Sequence, residues 1–192
     1  MSRKMRITIS GPPGSGKTTV CKLVAERLGC ELVLVGQIFR EMAVERGVDL
    51  EAFGRLAEED KNIDKELDDR IFAVALEKES LVLEGRLTGT LLKRRKLPVF
   101  AVYITASEEV RAERIARREE EEVDAVLKDL RMRERSEKKR YLDFYGIDPS
   151  DRSTYDLWID STNTAPEVIA DLIMDRAHKA AEDNACQVKK SK

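Results

Sequence analysis

Apolar positions along the chain follow two different periods. Short runs, Met5 to Ser10, Glu31 to Val35, Leu81 to Glu84, Val99 to Thr105 and Leu157 to Asp160, read as strands. Leu81-Val82-Leu83 is apolar throughout, as a parallel strand buried on both faces should be. Between these runs the spacing is helical: Val20, Leu23, Val24 and Leu28; Ile63, Leu67, Ile71 and Val74; Val123, Val126, Leu127 and Leu130; and finally Val168, Ile169, Leu172 and Ile173. Helices are also expected over 38–46 and 50–59, so with 63–78 a long helical block separates the second and third strands. That is more helix than one crossover requires.

The termini of these helices carry their own signals. Ser107 is placed to cap a helix whose first turn holds Glu108 and Glu109, acids that the helix dipole explains without function. Thr164-Ala165-Pro166-Glu167 reads as a capping box with proline just inside the last helix. The four acids Glu119 to Glu122 mark a joint before the helix that runs from Val123 to about Tyr145.

Five apolar strands alternating with helices, with no hairpin signal, predict an α/β three-layer sandwich on a five-stranded parallel sheet with right-handed crossovers. Ligands of such sheets bind at the carboxyl ends of the strands, so Ser10, Val35-Gly36, Glu84-Gly85-Arg86 and Thr105 are expected to line one cleft. The expected organisation is a single domain with its core in 1–35, 79–118 and 150–181, a helical insertion over 36–78, a short lid over 114–141 and a polar, frayed tail over 182–192.

Composition narrows the class. A length of 192 residues suits one domain with a substantial core, and 42% hydrophobic with 38% charged residues describes a folded chain with a heavily solvated surface. The net charge of −2 gives no general pull toward nucleic acid, so anion affinity must come from local clusters of Arg and Lys. Cys21, Cys30 and Cys186 are odd in number and lack C-x-x-C spacing, which argues against a disulfide framework or a zinc site and points to a reducing, cytoplasmic setting. No stretch is long enough to span a bilayer, no leader-like run opens the chain, and neither a membrane nor a nucleic-acid partner is expected.

The chemistry starts at Gly11-Pro12-Pro13-Gly14-Ser15-Gly16-Lys17-Thr18, a fit to G-x-x-x-x-G-K-[ST] that lies between a strand and a helix. In a P-loop NTPase the backbone N–H groups of such a loop cradle phosphates, the lysine reaches the β- and γ-phosphates, and the hydroxyl of Thr18 holds Mg²⁺. Thr19 continues the phosphate-binding turn. Phosphoryl transfer asks mainly for positioned cations. Arg40 follows the second strand by about one helical turn and Arg86 follows the third directly, so both are candidates for phosphate contact. Arg111, Arg114 and Arg118 share one helix face, and Arg133, Glu137 and Arg140 share another, as a lid closing on a triphosphate would require. Function is assigned to Arg114, Arg118, Arg133 and Arg140, whereas Arg111, Arg117, Arg131 and Arg135 are expected on a solvated face laced with Glu–Arg pairs. Glu84, the acid ending the third strand, would hold the metal through water, with a local ion pair to Arg86 as the rival reading. His178 is expected at the surface.

These motifs together resemble the nucleoside monophosphate kinases, and among them the archaeal-type cytidylate kinases, over nearly the whole chain. The matching stretches include Gly36-Gln37-Ile38-Phe39-Arg40 and Ile63-Asp64-Lys65-Glu66-Leu67-Asp68-Asp69-Arg70, and the more selective ones are Leu83-Glu84-Gly85-Arg86, Arg133-Glu134-Arg135-Ser136-Glu137-Lys138-Lys139-Arg140-Tyr141 and Tyr145-Gly146-Ile147-Asp148. The resemblance implies transfer of the γ-phosphoryl group of ATP to CMP or dCMP with Mg²⁺, by a monomer. It implies that Lys17, Arg86, Arg118, Arg133 and Arg140 are catalytic, that Arg114 joins the loop in binding ATP, that Arg40 and Arg86 hold the monophosphate with Glu137 also on the substrate side, and that Asp64, Asp68 or Arg70 helps to cover the nucleoside. Bacterial cytidylate kinases carry a hydroxyl residue where this chain has Val35 and an acid where it has Leu87. Adenylate kinase is a weaker match, since its Asp-Gly-Phe-Pro-Arg run is replaced here by Glu84-Gly85-Arg86-Leu87. An ATP-dependent assembly factor on the same fold is the reading from outside metabolic enzymes.

Overall fold

A computed structural model describes residues 5–190, with side chains as far as Asp183. The sheet has five parallel strands in the order β2-β3-β1-β4-β5: β1 (Arg6–Ser10), β2 (Glu31–Leu34), β3 (Leu81–Glu84), β4 (Phe100–Thr105) and β5 (Leu157–Asp160). The register sets Ile9 beside Glu84, Leu34 beside Glu84 and Ser10 beside Tyr103, so the strands end together along one rim.

Alternation along the strands divides the core. Ile7, Ile9, Val82, Val102 and Ile104 pack on α1 (Lys17–Leu28) and α8 (Pro166–Lys190) through Val20, Val24, Ile169 and Ile173. The other face carries Leu81 and Leu83 against Ile71 and Ala75 of α4 (Lys61–Glu77) and Leu92 of α5 (Thr88–Arg94). Here α5 approaches very closely. A Cβ on Gly89 would lie 2.6 Å from Thr8 Oγ1 and 2.8 Å from Ala101 Cβ.

The helical block between β2 and β3 comprises α2 (Val35–Glu45), α3 (Leu50–Glu59) and α4, with a small core of its own built from Met42, Ala43, Phe53, Ala57 and Ile63. After β4, α6 (Glu108–Glu119) and α7 (Val123–Tyr145) form a hairpin closed by Ala112, Ile115, Ala116, Val126 and Leu130. The acidic joint between them is short: Glu120 adopts a left-handed φ of 59° and Glu122 is already the N-cap of α7. Leu87, Tyr141 and Ile147 tie the far end of α7 to the start of α5.

Several expectations need correction. Val123, Val168 and Leu172 are exposed at 40%, 57% and 36%, because each lies at the edge of its helix's apolar stripe and not at its centre. α5 has no counterpart in the sequence reading, since seven residues rich in Gly and Thr show no helical period. The Thr164 hydroxyl donates to the Asp160 carbonyl at 3.4 Å and takes no part in a capping box. The frayed tail expected over 182–192 overlaps α8, which reaches Lys190; Cys186 and the other side chains beyond Asp183 lie outside the described residues. Ser107 caps α6 as expected, accepting from the Val110 amide, and His178 is exposed.

Candidate active site

The loop between β1 and α1 is shaped by two close approaches. Gly11 has φ 146°, and a Cβ there would meet the Ile104 carbonyl oxygen at 2.0 Å; Gly14 has φ 75°, and a Cβ would lie 2.5 Å from the Arg111 carbonyl oxygen. Only glycine fits either place. The loop delivers the chain into α1 with Gly16 as an N-cap that supplies no side-chain acceptor, so the first-turn amides remain available to an anion.

Protein groups already engage the cations around this loop. Lys17 folds back so that Nζ donates to the Pro12 carbonyl at 2.6 Å. Burial, followed by the charge of Arg86, lowers its pKa to about 7, against the opposing pull of Glu84. Arg86, at the end of β3, donates to the Gly11 carbonyl at 3.2 Å and to Glu137 Oε1 of α7 at 3.1 Å. Arg133 donates to the same carboxylate oxygen at 3.0 Å. Arg114 of α6 donates to the Gly14 carbonyl at 3.4 Å and to the Ser161 carbonyl at 2.8 Å.

These groups face a cavity of about 1470 Å³ running from the loop to the helical block. That exceeds the roughly 300–1,000 Å³ typical of a site for one small ligand and leaves room for two. Its walls include Pro13, Gly14, Ser15, Gly16, Thr18 and Thr19 of the loop and α1; Arg40, Asp64 and Asp68 of the helical block; and Glu84 and Arg86 of the β3 end. From the α6–α7 hairpin come Arg114, Arg118, Arg133, Glu137 and Arg140. Arg40 is exposed at this wall with no partner among the described residues. Glu84 likewise has no side-chain partner there, so the ion pair to Arg86 is not formed.

Other expected residues lie elsewhere. Arg70 points from α4 to Glu45 and Glu66, at 2.5 and 2.8 Å, and does not line the cavity, because Leu67, Asp68 and Ile71 occupy the inward stripe of that helix. Gly11 and Pro12 do not line the cavity and instead contribute carbonyls to Arg86 and Lys17. Ser10 is buried, and neither it nor Thr105 reaches the wall. Arg111, expected on a solvated face, is buried: it donates to the Ala106 carbonyl at 3.2 Å and the Pro13 carbonyl at 3.4 Å and pairs with Glu134 of α7. It buttresses the phosphate loop. Arg131 does pair across the hairpin with Glu108, at 2.8 Å.

Three residues are additions. Ser161 donates to the Ser15 carbonyl at 2.8 Å while accepting from Arg114, clamping the loop to the β5 end. Tyr141 and Tyr145 continue the stripe of Glu137 along α7 at four-residue intervals and line the cavity beside Asp64 and Asp68. That interval was available as a sequence signal. Burial raises the Asp68 carboxyl to about 6, against the pull of the Tyr145 hydroxyl, and burial also raises Asp64 in spite of Arg140.

Comparison with known proteins decides among the kinases that this geometry admits. The model of the cytidylate kinase-like family matches residues 6–163, which carry every element from β1 to β5. The chain belongs to this family. It is 43% identical over 170 residues to a cytidylate kinase of Archaeoglobus fulgidus, covering 88% of this chain and 93% of the relative. It is 45% identical over 170 residues to one of Methanocaldococcus jannaschii, covering 88% and 95%. Solved structures extend the likeness of fold alone. A gluconokinase of Sinorhizobium meliloti has a TM-score of 0.63 at 17% identity, over 97% of this chain and 99% of that one. A shikimate kinase of Acinetobacter baumannii has a TM-score of 0.55 at 22% identity, over 90% and 92%. Among the described residues no helix is long and apolar enough to cross a membrane, and no group of three or more His, Cys, Asp or Glu is gathered to hold a metal.

Proposed function

We propose that this protein transfers the γ-phosphoryl group of ATP to CMP or dCMP, giving ADP and the corresponding diphosphate. Membership of the cytidylate kinase-like family supports the reaction, and neither an adenylate kinase nor an assembly factor is favoured by it. The observation that carries it is that one cavity is lined both by the phosphate loop and by Arg40, Asp64 and Asp68 of the helical block, with Arg86 in the same wall and bonded to the loop at Gly11. ATP phosphates lie on the loop and the α1 amides, with Lys17 and Arg114 beside them. The monophosphate lies against Arg40 and Arg86. An oxygen of its phosphate is thereby held in line with the γ-phosphorus, where it forms the new P–O bond as ADP leaves, and Arg118 and Arg133 of the hairpin add positive charge as the phosphoryl group moves.

Glu137 holds both Arg86 and Arg133. Arriving phosphates compete with this carboxylate for the two guanidinium groups, so Glu137 hands its cations to the substrates, and movement of α6 and α7 as a lid accompanies the exchange. The Thr18 hydroxyl and the partner-free Glu84 carboxylate are hard oxygen donors at the loop mouth and suit Mg²⁺, which takes few protein ligands when it rides on nucleotide phosphates. When bound there, the ion neutralises charge on the donor phosphates. A cytoplasmic, monomeric enzyme belongs to the same reading, and the three cysteines without C-x-x-C spacing favour the reducing compartment.

A panel of CMP, dCMP, UMP and AMP with ATP and Mg²⁺, followed by ADP formation, tests it. CMP and dCMP are expected to be turned over best. A kcat for CMP no better than for AMP or UMP would refute the cytidylate assignment, and ADP formation independent of any acceptor would favour the assembly-factor reading.

A further inference from the structure

The helical block and the lid meet at one unusual pair. Asp64, in the first turn of α4, is only 5% exposed, and its Oδ2 lies 3.7 Å from Nε of Arg140 on α7. That separation is too long for a hydrogen bond, and neither atom has another partner. A buried carboxylate and a buried guanidinium N–H left unsatisfied are costly, and one such place in a fold calls for an explanation. The neighbouring acid differs: Asp68 has the Tyr145 hydroxyl against it. Both Asp64 and Arg140 line the cavity, as do Arg40 and the two tyrosines.

An acceptor beside a donor is a pattern that can read a flat heterocycle by its edge. Cytosine presents the complement, an exocyclic amino group that donates and an adjacent ring nitrogen that accepts. Uracil reverses both, with a carbonyl oxygen where the amino group was and an N–H in place of the bare nitrogen. We infer that Asp64 and Arg140 form the base-reading edge of the monophosphate site, Asp64 accepting from the cytosine amino group and Arg140 donating to the ring nitrogen beside it.

Against uracil the same two groups set a carboxylate on a carbonyl oxygen and a guanidinium N–H on a ring N–H. Buried polar groups left unpaired in this way give a site its strongest discrimination. Adenine carries the same donor–acceptor pair on a larger ring, so its rejection is a matter of size and the informative competitor is uracil. The rival role is a latch in which the pair merely holds α7 to α4. A latch would be indifferent to the base.

The inference rests on the monophosphate kinase reading, and its test is built to fail separately. Equilibrium affinities for CMP and UMP are measured without ATP, and kcat/KM for both with ATP and Mg²⁺, for the unaltered protein and for Asp64→Asn and Arg140→Gln. Thermal melts show which variants fold. Asp64→Asn keeps the shape of the side chain while adding an N–H that can serve the uracil carbonyl, and Arg140→Gln removes the fixed donor from the other helix. The CMP-to-UMP affinity ratio is expected to fall at least tenfold in each folded variant. A ratio that falls less than tenfold, equal losses for both nucleotides, or an unaltered protein that binds UMP as tightly as CMP would overturn the inference. Absence of CMP turnover alongside an intact binding preference would instead overturn the kinase reading and leave the base reading standing.

Discussion

Asp68 offers a test of the site that needs no nucleotide. Its carboxyl is raised from 3.8 to about 6, chiefly by burial in the cavity wall and secondarily by the charges of Asp64 and Asp69, while the Tyr145 hydroxyl and Arg95 oppose the rise. Because the folded pKa lies above the unfolded one, the folded chain binds more protons between these values, and stability must fall as pH rises from about 4 through about 6. Above that window the loss is complete and the curve flattens with respect to this group. At about 1.4 kcal/mol per pH unit the full separation comes to about 3 kcal/mol. Asp68 lines an open cavity, and screening by its water reduces this to about 1–2 kcal/mol. Asp68→Asn keeps the shape and an oxygen to accept from Tyr145 but cannot ionise. Urea denaturation of both proteins at pH 4, 6 and 8 should give equal stabilities at pH 4 and a variant more stable by about 1–2 kcal/mol at pH 8. A difference that does not change with pH, or a variant less stable at pH 8, would refute the claim that this acid is ionised against its surroundings.

Two further outcomes follow from contacts already described. Lys17→Ala and Arg86→Ala each remove a cation from the junction between the nucleotides, and kcat/KM for CMP is expected to drop by roughly a hundredfold or more in steady-state assays; near-normal turnover in either would contradict the mechanism. Gly89→Ala adds a methyl group 2.6 Å from Thr8 Oγ1 and 2.8 Å from Ala101 Cβ. Overpacking against the sheet outweighs the gain in helix propensity, leaving a net loss of about 1–2 kcal/mol and a calorimetric Tm lower by about 2–8 °C.

The fold was legible because its strands are buried on both faces, and a run such as Leu81-Val82-Leu83 has few other ways to be stable. The phosphate loop was legible because its glycines answer to backbone contacts with Ile104 and Arg111 that any substitution would violate. What the pattern missed is short or depends on a neighbour. α5 is too brief to show a period, and Gly89 within it serves packing against β1 and β4, which no local rule reveals.

Arginines show the limit most clearly. Helical spacing places Arg111, Arg114 and Arg118 on one face of α6, yet the first is buried under Pro13, the second clamps Gly14 and Ser161, and the third stands exposed beside Glu119. Spacing tells which residues share a face, whereas their fate depends on what the fold brings opposite that face. Arg70 and Arg140 make the same point between helices. Both were assigned to the site, but α4 turns Arg70 outward to Glu45 and Glu66, while α7 brings Arg140 against Asp64. The first pair of acids lies on the surface and satisfies its arginine by direct hydrogen bonds; the second, buried, leaves donor and acceptor unsatisfied. An arrangement that costs stability and lies in the substrate cavity is better accounted for by the ligand it receives than by the fold it supports.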